Sequence, residues 1–158
     1  MKIFSETYID ALIDGAVSSN RLRQHQNIHL RYDEPCQRLF NAIEPGSYIR
    51  PHRHFSISRD ELLVAVRGLM ALVTFDDVGR VQQVIRFGSE KYGPDIAVGA
   101  EVAPKTWHTV LSLVPGSVLL EVKAGPFDPA YPKDLAEWAP SEGSEQVSNY
   151  LLNLTGLI

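Results

Sequence analysis

The sequence predicts an all-β fold, an antiparallel sandwich or barrel with helical ends, and three observations point to it. From residue 27 to residue 124, short apolar-rich segments follow one another at close, regular spacing. Clusters of Gly, Pro and Asp punctuate those segments as turns. The stretches at either end instead carry apolar residues at helical spacing. At 158 residues, the chain fits one domain around a single core. No internal repeat, low-complexity tract or inter-domain linker interrupts it.

The first element is a helix over about 5–19. Ser5 is placed to cap it, and Tyr8, Ile9, Leu12, Ile13, Ala16 and Val17 fall on one stripe, with Asp10 and Asp14 off it. Asn20 to Gln26 is polar and basic and reads as a connection. A barrel over about 27–124 follows. Its strands are expected at Asn27–Tyr32, Gln37–Ile43, Ser47–Pro51, Glu61–Val66, Leu69–Phe75, Val81–Phe87, Ile96–Ala103, Thr109–Val114 and Ser117–Lys123. Asp33-Glu-Pro35, Glu44-Pro-Gly46, Asp76-Asp-Val-Gly79 and Pro115-Gly116 supply turns, and Gly88 to Asp95 a loop. Residues 125–143 turn to Pro, Asp, Tyr and Trp and read as an extended wrap that closes a sheet edge. A terminal helix over about 144–154 has Ser144 as its expected cap and Val147, Tyr150, Leu151 and Leu154 on one stripe.

Composition narrows the function classes. Fifteen Lys+Arg against 19 Asp+Glu leave a net charge of −4, which argues against nucleic acid or an anionic membrane as the main partner. Local basic clusters at Arg21-Leu-Arg23 and Arg50 to Arg53 still allow a pocket for a small anion. No apolar run approaches the ~20 residues of a membrane-spanning helix, and the first residues lack the apolar core of a secretory signal. The single cysteine, Cys36, excludes an internal disulfide and fits a reducing cytoplasm.

The chemistry-bearing stretch is Gly46-Ser-Tyr-Ile-Arg-Pro-His52-Arg-His54, followed by Glu61 and Gly68. Two histidines one residue apart on a strand face the same side. Pro104-Lys-Thr-Trp-His108 offers a third imidazole. Three imidazoles and a carboxylate suit Fe, Mn, Co, Ni, Cu or Zn, and they leave positions open for substrate or water. A structural zinc site would more often recruit cysteines and close its shell. Glu61 is favoured over its neighbour Asp60 by its spacing to Gly68, since adjacent strand residues face opposite ways. His25 and His29 read as polar surface or supporting residues, and Cys36 as a bystander. Tyr48 and Arg50 share parity with His52 and are candidates to line the cavity, although Arg50 at a strand end reads equally well as solvent-facing. Arg38 and Glu121 are charged residues inside apolar strands, which must face solvent, find a partner or enter a polar cavity. Glu121 is the candidate general base or the acceptor that supports a ligand.

These residues resemble the cupin superfamily. Gly46, five residues, His52-x-His54, Glu61, six residues and Gly68 follow its first motif, with a longer gap after His54 than the family usually has. The extra residues Phe55-Ser-Ile-Ser-Arg59 would lengthen a turn at the barrel mouth. The second motif, usually P-x-G-x-x-H, is one residue shorter here and lacks its glycine. Gln37-Arg-Leu39, Glu44 to His54, Trp107-His-Thr109, Glu121 to Phe127 and Lys133 to Pro140 are similar to the WbuC-type cupin-fold metalloproteins, associated with bacterial polysaccharide and O-antigen gene clusters. That resemblance covers roughly residues 3 to 143. It implies a double-stranded β-helix (jelly roll), with one divalent ion (Fe, Zn, Mn or Ni) held by His52, His54, Glu61 and His108. It also implies a homodimer acting on a small polar substrate such as a sugar or nucleotide sugar, by isomerisation, epimerisation or dioxygenation. The alternatives are a non-catalytic, metal-anchored sugar- or metabolite-binding module, or a structural partner of a biosynthetic complex.

Overall fold

In the computed structural model, which describes residues 1–54, 60–130 and 133–158, the chain begins with helix α1 (Glu6–Val17). Strands β1 (Arg23–Asn27), β2 (Cys36–Ile43), β3 (His52–Arg53), β4 (Glu61–Arg67) and β5 (Leu69–Phe75) follow. Then come β6 (Val81–Gly88), a 3-10 turn at Glu90–Tyr92, β7 (Gly99–Val102), β8 (Trp107–Ser112), β9 (Ser117–Ala124) and β10 (Asp134–Leu135). Helix α2 (Val147–Thr155) ends the order. The strands form two five-stranded sheets, β1-β2-β9-β4-β7 and β10-β3-β8-β5-β6, with every named pairing antiparallel. No helix among the described residues is long and apolar enough to cross a membrane.

Alternation along each strand sorts residues between the space inside and the two outer faces. Inward from the first sheet come Ile43, Leu63 and Leu119, which meet Met70, Leu72 and Val110 of the second around the fully buried Phe87. On the outside of the first sheet, Phe40, Ala42 and Val118 pack against Ile9, Leu12 and Ala16 of α1. On the outside of the second, Val73, Phe75 and Leu111 pack against Leu154 of α2, with Trp107 and Trp138 alongside. The near-continuous apolar run of β5 follows from this placement, because core covers one of its faces and α2 the other. Ser5 caps α1 as its position implies, its hydroxyl accepting the Tyr8 N–H at 3.2 Å.

Several boundaries differ from expectation. The polar stretch read as a connection contains β1, an edge strand held to β2 by its backbone, so the middle of it needs no apolar side chains. Conversely, residues 28–32 leave the ladder, and β7 is shorter than the expected segment. Residues 47–51 are not a strand, so alternation does not carry through them into β3. β8 starts two residues early and therefore includes His108. Ser144 does not cap α2 with its side chain; the helix begins after Gln146 without a side-chain cap, while the Ser144 carbonyl accepts the Val147 N–H at 3.1 Å. The wrap reaches β3 through β10, where Leu135 pairs with His52. Phe55 to Arg59, expected at the barrel mouth, lies outside the described residues.

Gly68 has a structural reason. Its φ is +84°, and a Cβ built there would lie 2.7 Å from the Ser117 Cα, a backbone atom of β9 that cannot swing away. Gly143 has φ +82° with nothing within 4 Å of its built Cβ. Gly143→Ala should therefore cost only the left-handed backbone term, about 1–2 kcal/mol, whereas Gly68→Ala should cost about 3 kcal/mol or more because the clash adds to it. Urea denaturation of the two variants checks this, and equal losses would refute the close-approach explanation.

Candidate metal centre

Three backbone placements bring the cluster together. His52 in β3 lies directly across from His108 in β8, with their ring centroids 4.5 Å apart. His54 follows β3 on the same side, with its ring 5.4 Å from His52 and 6.2 Å from His108. Glu61, the first residue of β4, enters from the facing sheet and is only 3% exposed. One ligand atom from each of the four residues lies within 4.8 Å of the others. Glu61 Oε2 is 3.1 Å from His108 Nε2 and 3.4 Å from His54 Nε2.

Two of the rings are oriented by backbone carbonyls. The Nδ1 of His52 lies 3.1 Å from Arg50 O and that of His108 lies 2.9 Å from Thr106 O. An Nδ1–H donated to each carbonyl leaves the Nε2 lone pair free. Burial first, and then the charges of Lys133 and His108, hold the His52 imidazole well below its ordinary value, so it stays neutral. Glu61 is pushed up by burial but is held well below the usual carboxylate range by His108, His54 and the Lys123 charge. His54 Nε2 and Glu61 Oε2 are both buried without a hydrogen-bond partner. Buried acceptors that face one another are costly unless a proton or a cation lies between them. Nitrogen and oxygen donors in this number fit a divalent transition ion, and the cluster can hold one.

Behind Glu61 stands a second charged layer on β9. Lys123 is the cross-strand partner of Glu61, and its ammonium donates to Glu61 Oε1 at 3.2 Å and also to Glu121. Glu61 Oε1 is thereby occupied while Oε2 faces the histidines. Burial and then the neighbouring Glu61 charge push the Glu121 carboxyl up to about 7. Burial lowers the Lys123 ammonium, but Glu121 and Glu61 more than offset it and raise it above its ordinary value. All of these groups border a cavity of about 560 Å³, with Leu39, Asn41, Leu63, Val110 and Leu119 among its walls.

The structure brings His52, His54, Glu61, His108 and Glu121 to this cavity. It does not bring Arg50, Tyr48 or Arg38. Arg50 donates to Ala136 O at 2.6 and 3.0 Å, and the Tyr48 hydroxyl donates to Pro140 O at 2.8 Å. Both expectations relied on strand parity across residues that are not a strand. Arg38 pairs with Glu34 at 2.8 Å, while its neighbours Gln37 and Leu39 line the cavity. His29, expected at the surface or in support, is buried at 6% exposure and lines the same cavity as the exposed His25. Lys123 was not singled out from sequence, although it shares the parity of Glu121 two residues earlier. Lys133 and Asn41 carried no comparable signal.

A family model described as "Domain of unknown function (DUF6016)" matches residues 4–87, just over half of the chain. That span includes His52, His54, Glu61 and Gly68 and ends before His108. No curated protein sequence matches. Among solved structures, the chain is similar to protein SO0799 from Shewanella oneidensis, with TM-score 0.59, 9% identity, and coverage of 80% of this chain and 82% of that one. It is also similar to CapF bound to 3-isopropenyl-tropolone, with TM-score 0.53, 18% identity, and coverage of 75% and 33%. A mutant of Bacillus subtilis oxalate decarboxylase OxdC gives TM-score 0.52, 15% identity, and coverage of 72% and 27%. The chain thus spans about a third and about a quarter of those last two proteins. At such identities the likeness concerns the fold, which is an all-β cupin barrel.

The Lys123 arrangement yields a stability prediction for metal-free protein. Lys123→Met should destabilise it by about 3–5 kcal/mol, because two buried carboxylates lose the ammonium that pairs with both of them. Adding Glu121→Gln should restore part of that loss by removing one uncompensated charge. Denaturant unfolding in the presence of chelator reads both effects, and a double variant as unstable as the single one would refute the charge explanation.

Proposed function

The chain belongs to the DUF6016 family, and we propose that it is a mononuclear divalent-metal cupin acting on a small polar molecule. The observation that carries this reading is the convergence of two buried, unpartnered acceptors, His54 Nε2 and Glu61 Oε2, with His52 and His108. In this reading His52, His54, Glu61 and His108 hold Fe, Zn, Mn or Ni. When bound, the ion supplies Lewis-acid polarisation of a substrate oxygen, or redox chemistry if it is iron.

The chain's own residues do the rest. Lys123 holds Glu61 by one oxygen so that the other stays turned toward the imidazoles. Arg50 O and Thr106 O fix two of the rings. Glu121 is placed inside the cavity beside Lys123, where a group that takes a proton from bound substrate would stand. Resemblance to WbuC-type cupins supports a sugar or nucleotide sugar as substrate, in bacterial polysaccharide metabolism in the cytoplasm. Isomerisation or epimerisation would use Glu121, and dioxygenation would require iron or another redox metal. The homodimer implied by the same resemblance would cover the outer face of β4, where Leu62 and Val66 are exposed.

Elemental analysis of protein purified without an affinity tag or chelator tests the metal reading. About one equivalent of a transition metal is expected, with His54→Ala and His108→Ala reducing it at least tenfold and His25→Ala retaining it. A metal-free protein whose stability is unchanged by His52→Ala would overturn it. Metal-loaded protein that binds nucleotide sugars without turnover would mark the non-catalytic alternative.

A further inference from the structure

The cavity contains polar groups that the metal cluster does not use, and their unmet needs describe a ligand. His29 is the first. Its Nδ1 lies 2.8 Å from Arg38 O and 3.1 Å from Arg38 N, so the Arg38 backbone occupies that atom. The Nε2 atom is buried and has no partner, and the residue lines the cavity. Asn41 is the second. Its Oδ1 is buried and unpartnered, and the residue lines the same cavity. A ring nitrogen and an amide oxygen left unmet on residues of one cavity suit hydroxyl groups, which accept and donate at once.

Charge adds a further requirement. Among the described residues, four basic side chains line the cavity: Arg21, Arg23, Lys123 and Lys133. Arg21 and Arg23 are bound to Glu142, and Lys123 to Glu61 and Glu121. Lys133 makes no ion pair among the described residues. It lines the same cavity as His52, His54, Glu61 and His108. Tyr32 and Phe127, edge-to-face at 5.1 Å, add an aromatic wall beside His29. The volume of about 560 Å³ falls in the ordinary range of small-molecule sites.

We propose that this part of the cavity seats a small polyhydroxylated carboxylate. Its carboxylate pairs with the Lys133 ammonium, one hydroxyl hydrogen-bonds with His29 Nε2, and another donates to Asn41 Oδ1. The proposal rests on the metal-cupin reading only in assigning this acid as the molecule presented to the metal cluster. Its recognition groups are separate from the metal ligands.

D-Gluconate is the probe, with D-gluconamide as the uncharged analogue and hexanoate as the analogue without hydroxyls. Calorimetric titration is carried out on metal-loaded and on chelator-treated full-length protein, and metal content is measured afterwards. Gluconate should bind at least tenfold more tightly than either analogue. Lys133→Met, at a solvent-reaching position, should weaken gluconate at least tenfold while leaving gluconamide unchanged. Asn41→Leu should weaken gluconate and gluconamide alike. Equal binding of gluconate and gluconamide, no effect of Lys133→Met, or no binding of gluconate to either form would overturn the proposal. If one equivalent of metal is present and gluconate does not bind, this proposal fails and the metal reading stands. If gluconate binds and no metal is found, the metal reading fails and this one stands.

Discussion

Glu61 is the residue on which the rest of the structure depends. Its carboxylate is buried, one oxygen is held by Lys123, and the other faces two imidazole nitrogens. Such a charge tolerates burial only when its partners are fixed in place. The partners come from different sheets: Lys123 is beside it on β9, whereas His52 and His108 face it from β3 and β8. The two sheets therefore have to be held at one separation and one register. The packing of Ile43, Leu63, Met70, Leu72, Phe87 and Leu119 does that at the other end of the barrel interior.

The outer layers serve the same end. α1 covers β2 and β9, the strands that carry Asn41, Glu121 and Lys123 inward. α2 covers β5 and β8, and β8 carries His108. β2, β9 and β8 thus have apolar outer faces buried under a helix and turn polar side chains into the cavity. That inversion of the usual hydrophobic-in pattern is confined to one end of the barrel. It is stable because most of the charged groups there are paired with one another.

Three residues of the candidate metal cluster were legible in the sequence because their information is local, whereas His108 stands 54 positions beyond His54. His52 and His54 share a face by adjacency, and Glu61 and Gly68 follow at fixed spacing. Gly68 itself was legible as a motif residue, but its reason, the approach of Ser117, lies 49 positions away and is visible only in the fold. β1 was missed because an edge strand made of Arg, Gln, His, Gln and Asn has no hydrophobic alternation; its stability comes from backbone pairing with β2. Tyr48 and Arg50 were misplaced for the converse reason, since alternation was extended through residues with irregular backbone. His29 and Lys133 enter the cavity by way of a loop and the residue just before β10, positions for which no periodicity exists to read.

The central claim is that four named atoms share one ion. An anomalous difference map, collected from crystals at the absorption edge of the metal found in the protein, tests it most directly. The account predicts a single strong peak about 2.0–2.3 Å from one nitrogen each of His52, His54 and His108 and from an oxygen of Glu61. A peak bound by other residues, or none at this cluster in protein that carries the metal, would contradict it.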